Sequence, residues 1–553
     1  MEKILRWWKK EGMYFPEKRY ITLVKSLLLA MLPLLCCLVY CGMRGRSLGE
    51  VYLPSSEWND ELLYYKQVEG IVHFGYPQGY YGYNESHALK LSFGAWSPVL
   101  VFPWILWGLL FGWNLMSPVI CNIVLLTLCC FLFVWLTRPT WKQLGVLGVL
   151  FCLYTPFARY MLSAMPEIIC FSMLITFYGL AINYLRRDMV YKLVLLFVLS
   201  GVMTLMRPYL VLFMLLPAYL WIRRDRKHVC RWLAVAGSAV ILGAVLGTYA
   251  CIKHYLGAEY FAPLYFTDWI FVYFEKGILA GIRNTLETLY YKGSGLLTLM
   301  QQGFREGLAS GAYFAGYVIC LCVLAAQSLL DWRRMRRSAK VQEGAGGKTE
   351  EEQKAAIGQL IVEAHLAFSF IVMLFALLLM YTQTEGSKHL LTFMAAALFV
   401  IGLMKTRFFK KAVVLGVTFA YFYSYMAVIP YDYEAPFVLD EREAAVEAFG
   451  EALAGQLALE REYVPNYENV VIWVFDDVAN GINVNTTWQL LYGLPEGFGI
   501  SCCRGNYITE HFDSLQSRYL VSPAGGEIDT LCKEAGYRLL YRGNGTVFYE
   551  RRP

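Results

Sequence analysis

Apolar runs of about 20 residues recur along the chain with short basic clusters between them, and no water-soluble core can absorb so many. The first runs from Ile21 to Cys41; crossing the hydrocarbon layer takes about 20 helical residues, so this run is long enough. Further runs lie near 115–136, 143–160, 166–185, 191–206, 209–222, 231–252, 313–330, 361–381, 389–404 and 412–429. In lipid every backbone polar group has to be satisfied within its own segment, so each run is read as a helix. The expected fold is a polytopic α-helical membrane protein with about 11 transmembrane helices and a small extracytoplasmic α/β C-terminal domain.

Composition agrees. Of 553 residues 57% are hydrophobic and 17% charged, with a mean hydropathy of +0.43; soluble domains carry about 25% charged residues. The net charge of +6 is spread over short inter-helix segments instead of one face, which argues for cytoplasmic loops and against nucleic acid as a partner. The basic start (Lys3, Arg6, Lys9, Lys10, Lys18, Arg19) precedes the first run without a small-residue cleavage site, so that run is read as an anchor that stays.

Lysine and arginine bias sets the orientation. With the N-terminus in the cytoplasm, the inside segments become 1–20, the Arg138/Lys142 turn, Arg186–Lys192, Arg223–Arg231, Trp332–Lys354 and Lys405–Lys411. The longer, cation-poor segments 42–114 and 253–312 then lie outside, and an odd number of spans places the tail outside as well. Residues 1–430 form the membrane domain, with a cytoplasmic linker at 331–360 whose stretch Val341–Gln353 is low in complexity and hydrophilic, and residues 431–553 form the tail domain. In the plasma membrane this is a multi-pass chain.

The tail reads as α/β. A helix is expected over Asp440–Glu460, strands at Asn469–Phe475, Gly499–Cys503 and Arg518–Val521, and a short helix at Thr486–Tyr492. A helix over Glu527–Ala535 closes at Gly536, and a hairpin joins Tyr537–Tyr541 to Thr546–Glu550. Of 15 cysteines most lie in apolar runs as small hydrophobes; only Cys502, Cys503 and Cys532 are in the tail, where a disulfide from Cys532 to one of the pair is open.

The first outside loop holds the chemistry-bearing residues. Asp60 and Glu61 stand side by side, followed by Tyr64, then Glu85 and His87, and the loop ends at Trp96-Ser97-Pro98. The stretch 98–112, studded with Trp104 and Trp107 and followed by Trp113, is expected to lie as an interfacial helix at headgroup level. Carboxylates beside aromatics suit a sugar site, although the pair equally suits the cap of the helix that follows.

In the order and membrane placement of these motifs, residues 1–430 resemble the GT-C glycosyltransferases, membrane enzymes that take sugar from a polyprenyl phosphate and include protein O-mannosyltransferases and aminoarabinose transferases. The resemblance is carried by Asp60-Glu61, Ser97-Pro98, Leu110-Phe111-Gly112, Arg159–Glu167, Ser200–Pro208 and Gly386–Leu391. It implies a single-sugar transfer from a polyprenyl-phosphate donor to a glycan, lipid or protein acceptor at the outer face, with inversion. Asp60 would be the general base and Glu61 its neighbour that orients it. Lys388 and His389, with Arg207 as a further cation, would hold the donor phosphate; the family more often has Arg-Tyr or Arg-His where Lys388-His389 stand. Glu85, His87, Tyr64, Trp96, Glu167 and Arg159 are the candidate substrate-binding residues. A divalent cation is the one candidate cofactor, though one histidine and scattered acids do not make a ligand set of diagnostic spacing. The competing classes are a multispan transporter or flippase, which needs ionisable groups near the midplane, and a polymerase or ligase of lipid-linked glycans.

Overall fold

The computed structural model describes residues 18–43, 45–50, 60–75, 84–85, 97–224, 228–256, 266–306, 309–341, 350–381, 383–403, 416, 440–454, 467–474, 490–495 and 498–551. Six helices among them are long and apolar enough to cross a membrane, with bounds Arg19–Met43, Ser117–Thr137, Glu167–Arg186, Cys230–Leu256, Phe314–Arg333 and Ile357–Met380; Pro98–Phe111, Trp141–Leu153, Val190–Met206 and His389–Gly402 are shorter and apolar. The chain is a multi-pass membrane protein with a small C-terminal sheet.

The helices, in chain order, are α1 (Arg19–Ala30), α2 (Leu32–Met43), α3 (Asp60–Phe74), α4 (Pro98–Phe111), α5 (Ser117–Thr137), α6 (Trp141–Leu153), α7 (Pro156–Met161), α8 (Glu167–Arg186), α9 (Val190–Met206), α10 (Leu215–Arg224), α11 (His228–Leu256), α12 (Asp268–Glu275), α13 (Ile278–Glu306), α14 (Ala309–Val341), α15 (Glu350–Met380) and α16 (Gln383–Gly402). The C-terminal domain adds α17 (Asp440–Ala454), α18 (Gly505–His511) and α19 (Glu527–Glu534).

Two expected spans change shape where proline falls. The run 143–160 is two helices, α6 and α7, because Pro156 lacks the N–H that would continue the ladder. The run 209–222 opens as a 3-10 segment, Pro208–Met214, before α10. The last expected span, 412–429, lies outside the described residues apart from 416. The segment 253–312, expected outside, holds α12 and α13 and the ends of α11 and α14 where it is described, and the linker 331–360 is narrowed by α14 and α15, so the acidic half of its hydrophilic stretch is helix.

The basic turns gather at one end of the bundle. Lys25, buried within α1, donates to the carbonyl of Pro139 at 2.8 Å, Arg186 donates to Thr137, and Lys192 donates to Arg187 at 3.3 Å. At the bundle's centre α5 packs against α8, where a Cβ on Gly179 would come within 3.1 Å of the Phe133 ring. Small residues at such contacts matter in lipid, where close packing replaces the hydrophobic drive.

At the other end, Ser97 caps α4 by accepting from Val99 N at 3.2 Å, and Pro98 takes the first helical position. The helix stops at Gly112, whose φ of +85° lies in the region that favours glycine. Trp104 is fully buried and its Nε1 donates to Asn122 Oδ1 at 2.9 Å, while Phe102, Leu106, Leu109, Leu110 and Phe111 are exposed. One face of α4 therefore packs on the bundle and the other is exposed and apolar.

The C-terminal sheet runs β2 (Gly499–Cys503), β1 (Val470–Val474), β3 (Tyr519–Pro523), β5 (Thr546–Glu550), β4 (Arg538–Gly543), parallel for the first three strands and antiparallel for the hairpin. Alternation along the strands splits it into two faces. Trp473, Ile500, Tyr519, Val521 and Phe548 join the core continuous with the bundle, while Ile472, Val474, Leu520, Cys532 and Tyr549 form a separate small core. The tail cysteines are free thiols; burial pushes Cys503 and Cys532 up to about 12, which leaves them unreactive.

Asp529, fully buried, ties this domain together. It accepts from Gly525 N at 2.7 Å, Lys533 at 2.8 Å, Tyr549 Oη at 2.6 Å and Arg542 at 3.1 Å. Burial works against its charge; the bonds from Lys533, Tyr549 and Gly525, with Arg542 beside it, outweigh burial and hold the carboxyl down to about 2. A depressed pKa stabilises the fold above the unfolded value near 3.8, and that contribution is lost as pH falls through about 2. At pH 7 Asp529→Asn is expected to lower the domain's opening free energy by about 2 kcal/mol, read by hydrogen exchange of the β5 amides in the full chain. A variant exchanging like wild type at pH 7 would contradict this.

Candidate functional site

Four polar side chains from separate segments meet at the end of the bundle opposite the basic turns. Glu167 opens α8, Arg207 follows α9, Tyr209 lies in the 3-10 segment and His389 lies near the start of α16. Pro166 ahead of Glu167 and Pro208 after Arg207 fix where these elements begin. The sequence names Glu167 and Arg207 separately; the fold pairs them.

Arg207 Nη2 donates to Glu167 Oε1 at 2.7 Å, with side-chain exposures of 1% and 0%. Its Nη1 lies 3.2 Å from Tyr209 Oη and 3.4 Å from His389 Nδ1, and Tyr209 Oη lies 3.2 Å from the same nitrogen. Guanidinium only donates, so Nδ1 is the accepting nitrogen and the neutral ring carries its proton on Nε2. Tyr209 and Tyr381 both lie against the imidazole, with ring centroids 5.3 and 5.2 Å away. Tyr154 Oη donates to Leu391 O at 3.1 Å, which fixes the first turns of α16 to the end of α6.

Polar capacity remains in this cluster. Glu167 Oε2 is buried and has no hydrogen-bond partner among the described residues, and the same holds for Thr392 Oγ1, three residues past His389 in α16. A buried acceptor and hydroxyl without partners cost free energy unless something else fills them.

The loop helix α3 lies over this end. Tyr64 is within electrostatic reach of the Arg207 guanidinium. Asp60, the first residue of α3 and partly exposed, is four residues earlier and so shares the Tyr64 face. Glu61 shares the other face with Tyr65, whose ring stacks on Trp113 at 5.4 Å and meets Tyr492 of the C-terminal domain at 5.4 Å. Glu61 is fully buried. The helix thus parts the adjacent carboxylates, Asp60 on the Tyr64 side and Glu61 on the Tyr65 side.

Other candidates are placed differently. Arg159, buried at the same end, lies with its guanidinium 5.4 Å from the Tyr160 ring centre. Glu85 does not join the cluster: its carboxylate accepts from Ser517 N at 2.6 Å and Gln516 N at 3.1 Å in the C-terminal domain. Of Lys388 only the helical backbone is described, and His87 and Trp96 lie outside the described residues. Among the described residues no three of His, Cys, Asp and Glu come together as a metal site. Tyr209, Tyr381 and Thr392 are absent from the sequence reading; only the position of Tyr209, two residues past Arg207, could have signalled it.

No family profile and no curated protein matches the chain. Two solved structures are similar to it over most of its length. One is the crystal structure of ArnT from Cupriavidus metallidurans bound to undecaprenyl phosphate, 11% identical, covering 94% of this chain and 97% of that one, TM-score 0.40. The other is the archaeal oligosaccharyltransferase AglB from Archaeoglobus fulgidus in complex with an inhibitory peptide and a dolichol-phosphate, 13% identical, covering 96% and 74%, TM-score 0.42. Likeness at these scores carries no functional argument, which rests on the chain's own residues.

Proposed function

We propose that the chain is a membrane glycosyltransferase that moves one sugar from a polyprenyl-phosphate donor to an acceptor hydroxyl at the outer membrane face. The observation that supports this reading is the buried Arg207–Glu167–His389 cluster at the end of the bundle where Tyr64 of α3 comes within electrostatic reach of Arg207, with Asp60 one turn before Tyr64 on the same side of that helix. A carboxylate and a donor-rich cluster at one end of a bundle suit a displacement at an anomeric carbon.

In the reaction, the Asp60 carboxylate takes the acceptor's proton as that oxygen bonds to the anomeric carbon. The bond from this carbon to the phosphate oxygen breaks, and the lipid phosphate leaves with the electron pair. His389 Nε2–H and Lys388 offset the developing phosphate charge, and Arg207, held by Glu167, raises the local positive potential. Attack and departure on opposite faces of the carbon invert its configuration.

The transporter reading draws on a different feature. Glu363, fully buried in α15, holds Gln359 at 2.7 Å, and two residues on His365 bonds Tyr178 Oη at 3.1 Å. Intramembrane ionisable groups of this kind serve ion paths in transporters.

The test is transfer of label by the full chain in nanodiscs from a panel of radiolabelled polyprenyl-phosphate sugars. Release of label from at least one donor, into acceptor or water, is expected. A folded chain that turns over none of them, and that carries solute across liposomes in a Glu363-dependent way, would replace the enzyme with a transporter.

A further inference from the structure

We propose that Glu85 is a positioning residue: through it the C-terminal domain holds the helix that bears Asp60 over the Arg207 end of the bundle. This deepens the glycosyltransferase reading and rests on it for its catalytic part only.

The contact is built, and it is local. Asn84 N donates to Cys502 O at 3.1 Å along β2, the edge strand of the sheet. Glu85 N donates to Ser501 Oγ at 2.9 Å, and the Glu85 carboxylate accepts from the successive amides of Gln516 and Ser517. Consecutive N–H groups of this kind form a cradle suited to an anion. The Glu85 side chain is nearly fully buried there. Burial first, and the charge of Glu85 second, push the phenols of Tyr467 and Tyr507 up, as expected for rings packed beside a carboxylate.

Backbone strain points the same way. Asn84 and Glu85 both have positive φ, 51° and 61°. For a glutamate this conformation costs about 1 kcal/mol or more, and it persists because the cradle over-determines it. The strained pair lies ten residues beyond Phe74, the end of α3. Two further ties join α3 to the same domain: Lys66 Nζ donates to Leu494 O at 3.1 Å, and Tyr65 meets Tyr492. With its Tyr65 side held by the domain and its Tyr64 side toward Arg207, α3 has its rotation set from both directions. Release of Glu85 removes one of the three ties and leaves the rotation of α3 to Lys66 and Tyr65, which loosens the helix that bears Asp60.

The experiment compares the full-length wild type with Glu85→Ala and Glu85→Gln by hydrogen exchange and by steady-state transfer. Gln keeps one carbonyl acceptor for the Ser517 amide. In Glu85→Ala, exchange is expected to rise about tenfold at Gln516, Ser517 and the α3 amides, with kcat down about tenfold and donor KM unchanged; Glu85→Gln is expected to recover most of both. Faster exchange at Gln516 and Ser517 with α3 unchanged would overturn the proposal, and so would loosened α3 with an unchanged kcat. If wild type transfers no sugar, the function fails by itself and the α3 exchange decides whether the clasp holds the helix.

Discussion

Asp60→Asn is expected to lower single-turnover sugar transfer by about 10²–10⁴-fold, the range a positioned general base contributes, while the chain stays folded. The structural cost is small because Asp60 is partly exposed at the first position of α3; removing a charge from a helix N-terminus costs about 0.3–1 kcal/mol. Asparagine keeps the shape and accepts a hydrogen bond, yet it cannot take the acceptor's proton. Glu61→Gln is the matched control. Its side chain is fully buried on the Tyr65 face, so its loss is expected to lower stability and leave the rate per folded molecule within a few-fold. Circular dichroism and single-turnover transfer on both variants measure the contrast. Full transfer by Asp60→Asn would sink the assigned mechanism, and the reverse ranking of the two variants would move the base to Glu61.

Element identity was legible wherever lipid or strand alternation leaves one choice. The long spans, the strand Gly499–Cys503 and the hairpin ending at Glu550 follow from apolar period and turn chemistry alone. The helix from Asp440 was also expected, though it is described only to Ala454. Pro156 lies inside the expected span 143–160 and Pro208 just ahead of 209–222; apolar content alone does not show where the helix ladder breaks, and both spans are interrupted. The site was legible in parts. Glu167 and Arg207 could each be named from their place at span ends, because ionisable groups at membrane depth are rarely idle. Their pairing was not legible, since 40 residues and two helices separate them and only α8–α9 packing brings them together. Tyr209 and Thr392 look like ordinary span residues until His389 is beside them. Glu85 was misread for a physical reason: an acidic residue in an aromatic loop reads as a ligand group, whereas its partners are backbone amides, which have no sequence signature.

Arg207→Met is expected to destabilise the membrane domain by about 3–5 kcal/mol, because it leaves the Glu167 carboxylate buried without its partner. The loss should exceed that of any single partly exposed residue in the cluster, and it appears as a lowered unfolding midpoint in detergent. Stability alone does not show what the arginine is for, since any buried pair behaves in this way. The double variant Arg207→Met with Glu167→Leu separates the two roles: removing both charges together is often neutral or stabilising, because the desolvation of each is relieved. The double variant is therefore expected to unfold near the wild-type midpoint. Its transfer should still fall by about 100-fold or more, since the positive potential beside His389 and the hydrogen bond to Nδ1 go with the guanidinium. With Nδ1 no longer held by Arg207, the imidazole is free to take the other tautomer, and the Nε2–H assigned to the phosphate is no longer enforced. A double variant that folds and transfers at the wild-type rate would reduce Arg207 to a brace for α8 and α9, leaving the phosphate to Lys388 and His389.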